Sequence, residues 1–209
     1  MPYYWQYDID AMSVIYVWGA AFLAYVLFYS WYIGFRKKVT PEEVEATLAI
    51  FKQREHIWNQ SQLDNLGNFL LEDDGRDFVM VNLLLFQDPV RTSRETMGKY
   101  QKVFMGELLR KAGHPVLIGR AASGSIDNVD DSEAGFWHAA ALVRYRSRRD
   151  LMEMIPATLG SEHHGMKLAA LDKTLSFPAS PWFMLGGPKV LMPLVLALLA
   201  ALITPVVAG

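Results

Sequence analysis

The chain has 209 residues, 52% of them hydrophobic, and a formal net charge of −2. That balance gives no global electrostatic reason to bind nucleic acid. With no cysteine, disulfides, a thiol nucleophile, a CxxC redox pair and a cysteine zinc site are all excluded. The length suits one domain with accessory segments.

The apolar residues cluster at the two ends. No charged residue occurs from Met12 to Gly34, and none from Val190 to Gly209. A bilayer core about 30 Å thick needs about 20 apolar helical residues, so each stretch predicts a transmembrane helix. A signal peptide is the rival for the first, but its apolar run is too long and lacks a basic leader or an Ala-x-Ala site. Tyr3, Tyr4 and Trp5 precede it, and Tyr29, Trp31 and Tyr32 lie near its far end, as interfacial aromatic belts do. A removable lipid-anchor signal is the rival for the second. Pro193 and Pro205 sit near the ends of that span, where a proline costs least.

Arg36, Lys37 and Lys38 follow the first helix directly, whereas the ten residues before Ala11 carry no Lys or Arg. Lys189 precedes the second helix and nothing basic follows it. The positive-inside rule then places both termini outside and the middle in the cytoplasm. The expected layout is a tail over 1–10, a span over 11–35, a helical connector over 36–76, a domain over 77–177, an interfacial linker over 178–189 and a span over 190–209. The expected location is a bacterial inner membrane.

In the connector, Thr40-Pro41-Glu42-Glu43 reads as a capping box, with proline at the first helical position. That helix is expected to reach about Asn59, followed by a short one over Leu63–Leu71. Phe78–Phe86 is apolar on both faces and predicts a buried strand. Met97, Tyr100, Phe104 and Leu108 recur at helical spacing, and Gly113 is expected to end their helix. Strands are expected over Pro115–Ile126 and Phe136–Tyr145, with a polar, Gly-containing turn between. A helix begins at Arg149, Pro156 and Gly160 interrupt it, Glu162–Ala170 resumes it, and Leu171–Phe177 alternates like an edge strand. The order β-α-β-β-α-β predicts an α+β, ferredoxin-like domain. Helices cover one sheet face, so the other is expected to meet a second copy or a similar fold.

Phe78-Val-Met-Val-Asn-Leu-Leu-Leu-Phe-Gln87, Gly119-Arg120 and above all Ala141-Leu-Val-Arg-Tyr-Arg-Ser-Arg-Arg-Asp-Leu-Met-Glu-Met154 resemble the DUF1330 family of dimeric α/β-barrel domains. The resemblance covers about half of the chain and implies a ferredoxin-like fold and a homodimer. Family members are usually small and soluble, and Pro156-Ala-Thr-Leu-Gly160 departs from their usual Asp-Pro-x-Tyr-like segment.

Few residues suggest chemistry. His163 and His164 with Glu162 read first as a solvated helix end, because adjacent helical histidines point about 100° apart. Related haem-binding barrels carry an axial histidine on the equivalent helix, which makes His164 the haem-ligand candidate. Asn82 inside an apolar strand must find partners. Similarity to cofactor-independent monooxygenases groups it with Arg120 and Trp137 as weak catalytic candidates. His138 is expected on the third strand as a core residue, and Tyr100 and Tyr145 as packing residues. Arg144, Arg146, Arg148 and Arg149 read equally as a solvated strand end or as partners of anionic lipid heads.

No metal or cofactor is expected; haem, or a bound lipid or pigment, is the only rival. Aromatic side chains cover several sides of the first helix, and Gly19, Ala20, Ala21 and Ala24 form a small-residue face. Trp18, Gly19, Ala20, Phe22, Ala24 and Trp31, with Arg36, Lys37, Lys38 and Lys189, are therefore the expected contacts with the bilayer and with other integral membrane subunits. The favoured function is a non-catalytic accessory or scaffold subunit of a larger membrane complex. The alternative is a membrane-tethered oxygenase or ligand-binding barrel for an apolar substrate.

Overall fold

A computed structural model describes residues 4–52, 58–127, 136–158, 162–182, 184 and 186–208, with side chains from Ala11 onward and without that of Glu162. Two compact units emerge, one from the chain ends and one from Arg36–Pro181.

The terminal unit is a helical hairpin of α1 (Tyr4–Ile33) and α7 (Pro188–Ala208). Within α1, Val14, Val17, Ala21, Tyr25, Phe28 and Tyr32 are the less exposed positions; Met192, Pro193, Leu196, Ala197, Ala200 and Thr204 are their counterparts in α7. Intervals of three and four residues keep one seam facing the partner helix. The helices run antiparallel. Trp18 Nε1 donates to Thr204 Oγ1 at 3.2 Å near one end, and Lys189 Nζ lies 6.0 Å from the centre of the Tyr32 ring near the other. Thr204 Oγ1 in turn donates to Ala200 O at 2.8 Å. By length and composition Ala11–Ile33 and Pro188–Ala208 can each cross a membrane. Pro193 is the sixth residue of α7 and not at its margin. It removes the hydrogen bond that Lys189 O would otherwise receive.

The middle unit holds a four-stranded antiparallel sheet of β1 (Phe78–Phe86), β2 (His114–Arg120), β3 (Ala139–Tyr145) and β4 (Leu171–Ala179), in the order β2-β3-β1-β4. Its helices are α2 (Pro41–Lys52), α3 (Gln60–Leu71), α4 (Val90–Arg110), α5 (Arg148–Thr158) and α6 (Glu162–Ala170). This is the ferredoxin-like α+β topology, preceded by α2 and α3.

Register separates the two faces of the sheet. Phe78, Met80, Asn82 and Leu84 stand opposite Tyr145, Val143, Ala141 and Ala139, so all eight share the helix-covered face. There Phe78, Val143 and Tyr145 pack with Leu108, Leu151 and Met154, while Leu84 and Phe86 pack with Met97, Tyr100 and Ala170. The other face carries Val79, Val81, Leu83 and Leu85, with Leu142 and Ala140 on β3 and Leu175 and Phe177 on β4.

Residues 36–76 do not stand apart as a connector. Val39, Val44 and Leu70 cluster with Met152, and Phe51 and Leu63 with Ile155, so α2 and α3 pack on α5. The capping box forms as expected: Thr40 N–H donates to Glu43 Oε2 and Glu43 N–H to Thr40 Oγ1. A second box, Asn59 with Gln62, starts α3 three residues earlier than Leu63.

Other expectations are corrected. Strand β2 stops at Arg120, because Ser123 and Ser125 turn their hydroxyls onto the carbonyls of Gly124 and Asp127 and compete with the ladder. Strand β3 starts at Ala139, and the turn expected over 128–135 lies outside the described residues, as does the expected end of α2 over 53–57. Helix α5 continues through Pro156 to Thr158, where Thr158 Oγ1 donates to Met154 O at 2.8 Å; Gly160 lies outside the described residues. After α4 it is Ala112 that takes a left-handed φ of 54°, not Gly113.

Candidate functional site

The helix-covered face holds Asn82, and its amide is used up there. Nδ2 donates to Met80 O and to Ala141 O, each at 3.1 Å, and Oδ1 accepts from Ser176 Oγ at 2.8 Å. The amide thus ties β1 to both of its neighbours, which is what a polar group in an apolar strand must do.

Arg120 and Trp137 do come together. They line an open groove of about 360 Å³ with Leu83, Leu117, Ala140 and the turn residues Ser123 and Ser125. Lys173 Nζ lies 5.7 Å from the Trp137 ring. Asn82 does not line this groove, so the three weak catalytic candidates do not converge. The reason is the pleat: Leu83 lines the groove, and its neighbour Asn82 points to the opposite face.

His138 precedes β3. Its Nδ1 accepts the Phe86 N–H at 2.9 Å, and its ring stacks on Phe86 at 5.9 Å and meets Phe136 edge-on at 5.2 Å. It closes the end of the sheet. Tyr100 and Tyr145 are both buried. Burial pushes the Tyr100 hydroxyl up to about 12 and raises that of Tyr145 as well, so neither gives up a proton near neutrality.

His164 is 4% exposed on α6. Among the described residues no group of three His, Asp or Glu is placed to hold a metal ion. His56 lies outside the described residues.

The basic cluster is not a solvated strand end, because each of its arginines has protein partners. Arg144 is 1% exposed, with Nε donating to Asp77 and Nη1 to Ala112 O, each at 2.8 Å. Arg146 holds Asp150 in a fork at 2.7 and 2.9 Å. Burial raises the Asp150 carboxyl, but hydrogen bonds and charge from Arg146, with help from Ser147 and Arg36, outweigh it and leave it below its ordinary value. Arg148 donates to Phe69 O and lies over the Phe69 ring at 4.5 Å. Arg149 grips the Glu43 carboxylate with two nitrogens at 2.8 and 2.7 Å and also donates to the carbonyls of Lys37 and Lys38. Arg36 pairs with Glu153 at 2.5 Å and with Asp150 at 3.5 Å. The sequence signal for this was the acid spacing: Asp150 and Glu153 follow directly on the arginine run.

In the hairpin the small residues divide. Ala21 lies in the seam and lines a cavity of about 180 Å³ with Trp18, Phe22, Tyr25, Pro193, Leu196 and Ala197. Gly19, Ala20 and Ala24 are exposed, as are Trp18, Phe22 and Trp31. A side chain added at Gly19 would meet nothing within 4 Å. The aromatic belt expected at Tyr3, Tyr4 and Trp5 lies outside the described side chains.

No protein-family model matches this chain, and no curated protein matches it. Among solved structures, a protein of unknown function from Rhodopseudomonas palustris is similar over 61% of this chain and 96% of its own, with 17% identity and a TM-score of 0.49. That protein in methylated form is similar over 62% and 96%, with 18% identity and a TM-score of 0.49.

Proposed function

We propose that this protein is an accessory, scaffolding subunit of a larger bacterial inner-membrane complex. In this reading its two apolar helices span the bilayer and its DUF1330-like domain pairs through the open sheet face. The observation that carries the proposal is the outward surface of the hairpin. Gly19, Ala20 and Ala24 are exposed beside large apolar side chains, a surface suited to close contact with another membrane helix. Support for pairing comes from Leu117, Leu175 and Phe177, which are 52%, 48% and 45% exposed; an uncovered apolar sheet face favours association.

Topology belongs to the same proposal. The antiparallel hairpin puts Ile33 and Pro188 at one end, next in sequence to Arg36, Lys37, Lys38 and Lys189, which favours a cytoplasmic domain and external termini. The chain lacks cysteine, so in sealed cells an outside thiol reagent should modify Ala11→Cys and spare Ser123→Cys. Modification of Ser123→Cys would reverse the assignment.

The functional test compares two variants of the full chain purified in mild detergent. Gly19→Leu with Ala20→Leu should come away without its membrane partners, since neither change disturbs the seam. Arg120→Ala with Trp137→Ala should stay in the complex with its function nearly intact. A second reading, ligand binding by the barrel, is favoured by one observation, the shared groove of Arg120 and Trp137. It takes over if the second variant loses function while the first stays fully active.

A further inference from the structure

The arginines are consumed inside the middle unit, and that isolates two cations. Lys37 and Lys38 are exposed, and among the described residues neither ammonium has a hydrogen-bond or ion-pair partner. Their backbone, in contrast, is fixed. Arg149 Nε donates to Lys37 O at 2.6 Å and Arg149 Nη2 to Lys38 O at 2.7 Å. The next amide, Val39 N–H, donates to Asp73 Oδ2 at 3.0 Å. Arg36, one residue before, is held by Glu153 and Asp150. A strap pinned at four successive residues loses little backbone freedom when its two free side chains engage a ligand. The strap begins three residues after the last residue of the apolar helix α1.

We propose that Lys37 and Lys38 form a fixed recognition element for the headgroups of anionic phospholipids in the leaflet at the inner end of α1, with Arg149 as its positioning residue. This rests on α1 spanning the bilayer. Charge decides the ligand: two uncompensated ammonium groups beside a membrane favour a phosphodiester over a zwitterionic head, by about fivefold for each lysine. Arginines commonly fill this role in a fork, but here every arginine of the neighbourhood is committed to a carboxylate or a carbonyl.

The test uses the full chain in nanodiscs of phosphatidylcholine containing increasing phosphatidylglycerol, with bound lipid counted by mass spectrometry after brief detergent exchange. The native protein should retain phosphatidylglycerol selectively, and inorganic phosphate should not displace it. Lys37→Gln with Lys38→Gln should reduce that selectivity by about 25-fold, whereas the exposed pair Lys99→Gln with Lys102→Gln on α4 should leave it unchanged. Arg149→Gln should weaken selectivity less than the lysine changes do, and doubling the salt should erode it in the native protein. Equal loss in both lysine pairs, or no loss in either, overturns the proposal. Displacement by inorganic phosphate would make the site one for free anions and overturn it too. Recovery of the chain in the aqueous phase without detergent would instead overturn the membrane reading beneath it.

Discussion

In the hairpin, large side chains face outward: Phe22 is 69% exposed and Leu194 62%, while the most enclosed residue of α7 is Ala200. In the sheet domain Leu108, Met154 and Ile155 are sealed, and buried charges, Arg144 and Asp150, are locked to partners. One chain thus carries two opposite solutions to burial. The hairpin leaves much of its apolar bulk outward and encloses a seam of mixed size, from Ala200 to Tyr32. The domain hides its bulk from water and must neutralise every charge it encloses. Perturbations should therefore act differently on the two units.

The largest expected effect is on the domain. Arg144→Leu leaves Asp77 and Ala112 O without their partner in a buried setting. The expected destabilisation is about 3–5 kcal/mol, measured by denaturant unfolding in mild detergent with the tryptophan and tyrosine signals followed separately. A comparable substitution in the hairpin seam, Thr204→Val, frees only the Trp18 indole and should cost about 1 kcal/mol. If the two effects prove equal, the contrast between the units is wrong.

The sheet faces sharpen the comparison within the domain. Leu84 is 7% exposed in the core, and Leu84→Asp should unfold the domain. Leu83, one residue away, lies on the open face opposite Ala140 and Leu175. Leu83→Asp should leave circular dichroism unchanged while weakening self-association by about 3 kcal/mol, seen as a drop in mass by light scattering. A native protein that is already monomeric would remove the premise of pairing.

Much of this was legible in sequence, and where it was not the cause is local. Phe78–Phe86 was readable because nine residues without a breaker admit one extended register. Which face met the helices was not, since both faces are apolar and only tertiary pairing chooses between Leu84 and Leu85. The arginine run looked solvent-facing because two of its partners, Asp77 and Glu43, are distant in sequence, while only Asp150 lies beside it. The groove was half legible: Arg120 and Trp137 meet, but the alternation that carries Leu83 into it removes Asn82.

The end of α4 shows a misread signal of intermediate size. Gly113 looked like the left-handed terminator, but Ala112 holds φ 54°. Gly113 is required for another reason: a Cβ there would lie 2.9 Å from Arg144 O and closer still to the Leu108 side chain. Gly113→Ala should therefore destabilise by about 1–3 kcal/mol, while Ala112→Gly should stabilise by up to about 1 kcal/mol through relief of the positive φ. Thermal melts of the two variants should move in opposite directions.

The smallest effect concerns the strap. Glu43 takes two hydrogen bonds from Arg149 and one from the Thr40 N–H, and these, the Arg149 bonds foremost, hold its carboxyl at about 2 against an ordinary 4.5. A depressed carboxylate contributes stability that is complete above its unfolded value and disappears as pH falls through its folded one. The clamp should therefore stay closed from neutrality through pH 4.5 and open only as pH approaches about 2. Glu43 lies at the surface, so the energetic consequence is small, and the informative quantity is the titration itself. Carbon-detected NMR of the Glu43 carboxyl should show a midpoint near 2 in the native chain, and Arg149→Gln should return it towards 4.5. A native midpoint at the ordinary value would mean that Arg149 does not grip Glu43 in solution, and that its hold on residues 36–43 rests on the bonds to the carbonyls of Lys37 and Lys38.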